Sequence, residues 1–182
     1  MKITFSTCRS AILAASIPVM LTLGGCASPV THEAMVPQKM GAVVHHPQSV
    51  AVAVTGGNET SAAGKSQVSN AELQQAVIAA IDQSKVFART VQGNNGDYVL
   101  NVTLVSLDQP NFGFSFTVGA EMGWSLTKAD TGAVVWRESI KSQSTAGATD
   151  AFAGVTRLKM ATEGAVRENI QTGLGKLSAL NL

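Results

Sequence analysis

From Phe112 to Thr127 the chain alternates without a break. Phe112, Phe114, Phe116, Val118, Ala120, Met122, Trp124 and Leu126 hold the even positions. Gly113, Ser115, Thr117, Gly119, Glu121, Gly123, Ser125 and Thr127 hold the odd ones. Successive side chains of a strand point to opposite faces, so this pattern predicts one long strand with a buried face and an open one. Its neighbours repeat the pattern. Tyr98, Leu100, Val102 and Leu104 alternate with Val99, Asn101 and Thr103, while Val134, Trp136 and Ile140 share a face opposite Val135, Arg137, Ser139 and Lys141. Turn residues separate the runs at Asp108-Gln109-Pro110-Asn111 and Asp130-Thr131-Gly132. Three consecutive strands with short turns make an antiparallel meander.

The flanking segments add helices. Ser49-Val50-Ala51-Val52-Ala53-Val54 has strand length and ends at Thr55-Gly56-Gly57-Asn58, and a polar loop follows over 58–68. Ser69-Asn70-Ala71-Glu72 matches a capping box, in which Ser69 accepts from the Glu72 N–H and Glu72 reaches back. Leu73, Val77, Ala80 and Ile81 then recur at helical spacing, which predicts a helix over 70–84. Val86 to Val91 reads as a short edge strand before the turn cluster Gly93-Asn94-Asn95-Gly96. A second helix is expected over 150–179, capped by Thr149 or Asp150, with Val155, Val166, Ile170, Leu174 and Leu177 on one side and Glu163 paired with Arg167. Gly154, Gly164, Gly173 and Gly175 weaken that helix, so packing must hold it. The fold class that results is α+β: a two-layer sandwich, with a mainly antiparallel sheet of four or five strands and two helices on one face. Phe114, Phe116, Val118, Trp124 and Trp136 are expected under the helices, as core.

The N-terminus sets the compartment. Lys2 and Arg9 precede an apolar run from Ala11 to Leu23, and Leu23-Gly24-Gly25-Cys26 follows. A transmembrane span needs roughly 20 apolar residues, and this run is shorter and stops at glycines and Pro29. The layout resembles a bacterial lipoprotein signal peptide with its lipobox. The resemblance implies removal of residues 1–25, a diacylglycerol on the Cys26 thiol and an acyl chain such as palmitate on the new N-terminus. Ala27, where inner-membrane lipoproteins tend to carry Asp, implies the outer membrane, with the domain facing the periplasm. Several acyl chains anchor a protein stably where one binds marginally. Of the two cysteines, Cys8 would be discarded and Cys26 acylated. The body then has no disulfide, thiolate nucleophile or cysteine metal site. The organisation expected is signal peptide 1–25, lipidated N-terminus and flexible tether 26–48, and a single periplasmic domain 49–182. Pro29, Pro37 and Pro47 break the tether, which would reach roughly 70 Å fully extended and about 25 Å as a coil.

The order of elements in the body resembles small envelope lipoproteins of the YajG-like kind. More distantly it resembles the periplasmic domains of the curli-secretion lipoprotein and the penicillin-binding-protein activators. The stretches that carry the likeness are Val54-Thr55-Gly56-Gly57, the capped helix from Ser69, Asp97-Tyr98-Val99-Leu100-Asn101-Val102 and the tail helix. The resemblance implies an assembly or scaffold role without catalysis, and it transfers no site residues.

Catalytic and ligand motifs fail on spacing. Thirteen basic and 12 acidic residues, without a basic patch, give no footprint for nucleic acid. Gly64-Lys65-Ser66 would need a glycine at Glu59 to complete a phosphate loop. His32, His45 and His46 fall in the expected tether; adjacent histidines in extended chain point apart, so no metal site is read there, and a Ser-His-Asp triad has no histidine in the body. Asp97, Asp108 and Asp130 belong to turns. Glu138 falls in register with the apolar face, either at its rim beside a lysine or arginine or as a buried acid. No catalytic residue, cofactor site or metal site is assigned.

The small-residue face of the long strand, at Ser115, Thr117, Gly119, Glu121 and Ser125, is the candidate interaction surface. The alternatives for that strand are a plain core strand and a pore hairpin, the latter opposed by Arg137, Glu138 and Lys141 on its partner. The function expected is a lipid-anchored, non-enzymatic envelope protein acting through protein partners, with a homo-oligomer among the options. The alternatives are a carrier of a lipid or small ligand, held in a cavity between helices and sheet, and an envelope-modifying enzyme such as an acyltransferase, which lacks a histidine and nucleophile set here.

Overall fold

The computed structural model describes residues 27–41, 43–61, 64–93 and 95–182. Cys8, Cys26 and the signal-peptide reading lie outside the described residues. The elements run α1 (His32–Met35), β1 (His46–Thr55), α2 (Asn70–Ser84), β2 (Phe87–Val91), β3 (Tyr98–Asp108), β4 (Phe116–Lys128), β5 (Val134–Ala146) and α3 (Gly154–Ser178). The five strands form one sheet in the order β2-β1-β3-β4-β5.

The meander β3-β4-β5 is antiparallel, as its short turns require. β1 instead runs parallel to both neighbours, β2 and β3. Its sequence explains this. Val50, Ala51 and Val52 are all buried, a continuous apolar run of the kind parallel strands carry. α2 supplies the crossover from β1 to β2. The α+β two-layer class therefore holds, with a mixed sheet and both long helices on one face.

The core lies between that face and the helices. Leu100, Met122, Trp124 and Leu126 from the sheet meet Leu73, Val77 and Ile81 of α2 and Ile170, Leu174 and Leu177 of α3, all wholly buried. Each large side chain removed from water contributes about 1.5–3 kcal/mol. α3 approaches β4 and β5 closely because glycines permit it. A Cβ on Gly173 would fall 2.6 Å from the Trp124 indole, and one on Gly164 would overlap Ser144. Buried Asn169 ties the layers together. Its Oδ1 accepts from Trp124 Nε1 at 3.0 Å and its Nδ2 donates to the Ile140 carbonyl at 2.7 Å.

Several expectations are corrected. The long strand begins at Phe116, not Phe112. β3 ends opposite Gly119 and β5 ends opposite Phe116, so residues before 116 have no strand beside them. Phe112 and Phe114 are 88% and 89% exposed, and Phe114 is not core. Phe116, Val118 and Trp124 are buried, and Trp136 is half-buried at the rim. A bulge at Val135 pairs Val134 with Thr127, which turns Val134 away from the core face. α3 starts at Gly154 behind Ala153, without a side-chain cap. Asp150 is taken up by the loop, where it accepts from the Gly147 N–H at 2.7 Å. Glu138 lies at the rim, paired with Lys176 at 2.5 Å.

The segment read as a flexible tether packs on the domain over its described part. Val30 and Met35 are buried in the same core. The Ser66 hydroxyl donates to the Ser28 carbonyl at 2.7 Å, and Arg167 donates to the Ala34 carbonyl at 2.7 Å. Glu163 accepts from the Thr31 N–H while paired with Lys159 at 2.7 Å, so the expected Glu163–Arg167 pair gives way to contacts with this segment. The capping box is likewise half realised. Ser69 accepts from the Glu72 N–H, but the Glu72 carboxylate turns to the backbone and ring of His32. Prolines argued against helix here, yet α1 makes one turn between Pro29 and Pro37, and they did not argue against burial. β1 also begins earlier than Ser49. His46 opens β1, buried against Phe87, with its Nε2 3.0 Å from the Leu177 carbonyl.

Candidate interaction face

The helices cover one face of the sheet, and the other face of β3, β4 and β5 is open. Along β4 its members are Thr117, Gly119, Glu121, Gly123, Ser125 and Thr127, alternating with the buried residues. Antiparallel register sets β5 residues beside them: Thr145 opposite Thr117, Gln143 opposite Gly119, Lys141 opposite Glu121, Ser139 opposite Gly123 and Arg137 opposite Ser125. From β3 come Asp108 opposite Gly119, Thr103 opposite Gly123 and Asn101 opposite Ser125.

Hydrogen bonds between strands flatten the face. The Thr117 and Thr145 hydroxyls lie 2.7 Å apart, and those of Thr55 and Thr103 lie 3.0 Å apart. Glu121 accepts from the Ser139 hydroxyl at 2.7 Å and pairs with Lys141 at 3.4 Å. The Ser139 bond, helped by the Lys141 charge, holds the Glu121 carboxyl below the usual carboxylate range. Glu121 is thus an ionised, occupied acceptor and not a general acid. Where Gly123 lacks a side chain the face dips. The depression has a volume of about 330 Å³ and is lined by Asn101, Thr103, Ser125, Thr127 and Arg137. This collection can donate and accept hydrogen bonds and offer one guanidinium, and it sets no base beside a nucleophile.

Of the five residues expected on this surface, Thr117, Gly119, Glu121 and Ser125 lie on it together. Ser115 does not join them: it sits exposed in the loop before β4. Sequence reasoning missed Asn101, Thr103 and Arg137. The alternation of β3 and β5 does put them on the open side, but which residues stand beside Ser125 depends on the loop over 109–115 and on a bulge in each ladder, which the pattern does not give.

The other sites considered serve to hold the chain together. His32 lies 3.1 Å from both Glu72 and Glu33, and Glu72 also accepts from the His32 N–H, so these groups satisfy one another. His45 and His46 point apart, one to the Lys85 carbonyl and one inward. Lys65 donates to the Gln109 carbonyl at 2.7 Å. Asp97 makes a long-range lock instead of a local turn bond: its carboxylate accepts from both the N–H and the hydroxyl of Ser49 at 2.7 Å. Those bonds, with the charge of Arg89, hold the Asp97 carboxyl below its usual range. A polar groove of about 660 Å³ is lined by Arg167, Gln171 and Gly175 of α3, Ser144 of β5 and the segment residues Met40, Gly41 and Val43.

Among the described residues no helix is long and apolar enough to cross a membrane. The chain matches no protein-family model. No curated protein is similar to it in sequence. Solved structures are similar in fold. Protein XCC0632 from Xanthomonas campestris, of family DUF330, has a TM-score of 0.60 at 15% identity and covers 84% of this chain and 92% of its own. A minor lipoprotein from Acinetobacter baumannii has a TM-score of 0.51 at 8% identity, covering 74% of this chain and 93% of its own. Lipoprotein B from Nitrosomonas europaea has a TM-score of 0.51 at 11% identity, covering 78% and 90%. At these identities the likeness is one of fold: the chain has an architecture that bacterial lipoproteins also use.

Proposed function

We propose that the chain is a lipid-anchored, non-enzymatic protein of the bacterial envelope that binds protein partners through the open face of its sheet. One observation carries the reading. Along β4 that face holds only small or short side chains apart from Glu121, which is drawn onto β5 by Ser139 and Lys141. An open sheet face ordinarily carries long solvated side chains. Docking along the β4 stripe orders few flexible groups and so costs little entropy, while Arg137, Lys141 and Gln143 of β5 flank it. The polar depression beside Arg137 offers hydrogen bonds that give such docking specificity.

The anchor is the Cys26 thiol of Leu23-Gly24-Gly25-Cys26, acylated after removal of residues 1–25, with Ala27 directing the protein to the outer membrane, facing the periplasm. The names of the Acinetobacter and Nitrosomonas structures support the lipoprotein reading. Side chains fill the space between helices and sheet, which favours a binding surface over an internal carrier cavity.

Two measurements test this. Mass spectrometry of the mature N-terminal peptide should find an acylated Cys26; an unmodified cysteine or an intact signal refutes the anchor. Crosslinking in envelopes should join the wild type to specific partners, a second copy being recognised by doubled mass. Thr117→Arg and Gly119→Glu should lower that yield while folding is kept, since a Cβ on Gly119 meets only Asp108 at an ordinary 3.7 Å. Equal yields from wild type and both variants would refute the surface.

A further inference from the structure

The end of the domain that carries the β3–β4 and β5–α3 loops displays three phenylalanines to solvent. Phe112, Phe114 and Phe152 are 88%, 89% and 101% exposed. Single exposed apolar residues are ordinary, but a cluster of large ones marks an interaction site. The two loops meet around Phe116. Arg157 stands over the Phe116 ring at 5.6 Å and donates to the carbonyls of Ala151 and Phe152 at 2.9 and 2.8 Å. Gln109, at the base of the other loop, donates to the Ser66 carbonyl and the Thr162 hydroxyl. The aromatics are therefore presented on braced loops. Residues 109–115 carry no charge, and the one acid of 147–153, Asp150, is bonded to the Gly147 N–H.

Ala27 lies at this same end. It lines a hollow of about 330 Å³ together with Asn111, Phe116, Gly154, Val155 and Lys65. Cys26 is its neighbour in the chain. From Ser28 onward the backbone has no slack, because Ser66 holds the Ser28 carbonyl and Val30 is buried. One extended residue spans only about 3.5 Å. A lipid on Cys26 would therefore draw this end of the domain, and no other, onto the bilayer.

We propose that Phe112, Phe114 and Phe152 form a membrane-inserting tip that seats the domain on the lipid surface beside its anchor. The choice of lipid as occupant rests on the acylation reading of Cys26 given above. Aromatic side chains held at an interface bury about 5–10 Å into the headgroup and acyl boundary. With the tip seated, the strands rise from the membrane and the open face of β4 is exposed sideways, free for a partner.

The test uses the full-length protein as isolated from envelopes, reconstituted into phosphatidylethanolamine–phosphatidylglycerol vesicles whose acyl chains carry bromine near the headgroup. Phe114→Trp and Phe152→Trp are the reporters, and Thr131→Trp, in the β4–β5 turn at the far end of the strands, is the control. Vesicle flotation and the mass of the Cys26 peptide are recorded in parallel. The expected result is a blue shift and loss of most of the added emission for F114W and F152W, with T131W unchanged. Protein that floats with an acylated Cys26 while F114W and F152W remain unquenched overturns the tip and leaves the anchor standing. Quenching with an unmodified Cys26 overturns the anchor and supports the tip. A blue shift without vesicles, accompanied by doubled mass, assigns the phenylalanines to a second copy and overturns the proposal.

Discussion

Two glycines of α3 should respond in opposite directions to the same substitution. Alanine favours a helix interior over glycine by up to about 1 kcal/mol. At Gly175 nothing lies within 4 Å of where a Cβ would be, so Gly175→Ala should realise part of that gain. At Gly173 the added Cβ would sit 2.6, 2.7 and 2.9 Å from three atoms of the Trp124 indole. Carbon atoms pack best at about 3.5–4.0 Å, so the overlap approaches about 1 Å. The indole is fully buried and cannot swing aside. Overpacking of this kind costs about 1–3 kcal/mol. A shifted indole also strains the bond from Trp124 Nε1 to Asn169, worth about 1 kcal/mol. After the helix gain is subtracted, Gly173→Ala should destabilise by about 1–3 kcal/mol. Urea unfolding followed by tryptophan emission separates the two variants, and at this domain size each kcal/mol moves Tm by about 2–4 °C. Gly173→Ala as stable as wild type would refute the close packing of α3 on Trp124. An equal loss from Gly175→Ala would show a general helix effect with no role for the indole.

Phe116→Ala should cost about 3–5 kcal/mol by denaturant titration, whereas Phe114→Ala, two residues earlier, should stay within about 0.5 kcal/mol. Equal costs would mean that the strand begins before Phe116. Acid sensitivity should trace in part to Asp97. Its pKa is lowered in the folded state, so the Ser49 lock adds stability above the ordinary carboxylate pKa of about 4 and loses it as pH falls further, through the folded value. Asp97→Asn should unfold at lower urea than wild type at pH 6 and lose less between pH 6 and pH 3; an unchanged pH dependence would remove Asp97 from the account. Glu121, lowered in the same sense by Ser139, should leave a residual acid sensitivity in that variant.

Local pattern made the meander and α2 legible. Period-two alternation names both faces of β4 wherever a strand exists, and helical spacing behind Ser69 delimits α2 at Asn70–Ser84. Of the five surface residues that the alternation names, four lie on the open face. Pattern could not say where β4 begins, because the alternation runs on through Phe112 and Phe114 while the partner strands stop. Nor could it see that Val30 and Met35 are core, since two apolar residues in a proline-broken segment carry no period; they are buried because the gap beside α2 and α3 accepts them. Glycine showed the same division. In the sequence Gly173 and Gly175 are equal liabilities to a helix, yet Gly173 touches Trp124, forty-nine positions away, and Gly175 touches nothing. Side-chain periodicity is a property of neighbours along the chain, so the sequence by itself determined the long elements and most of their faces, though not all of their ends. Pairing, close approach and the choice of partner for each polar group depend on residues distant in sequence, and these only the tertiary structure decided.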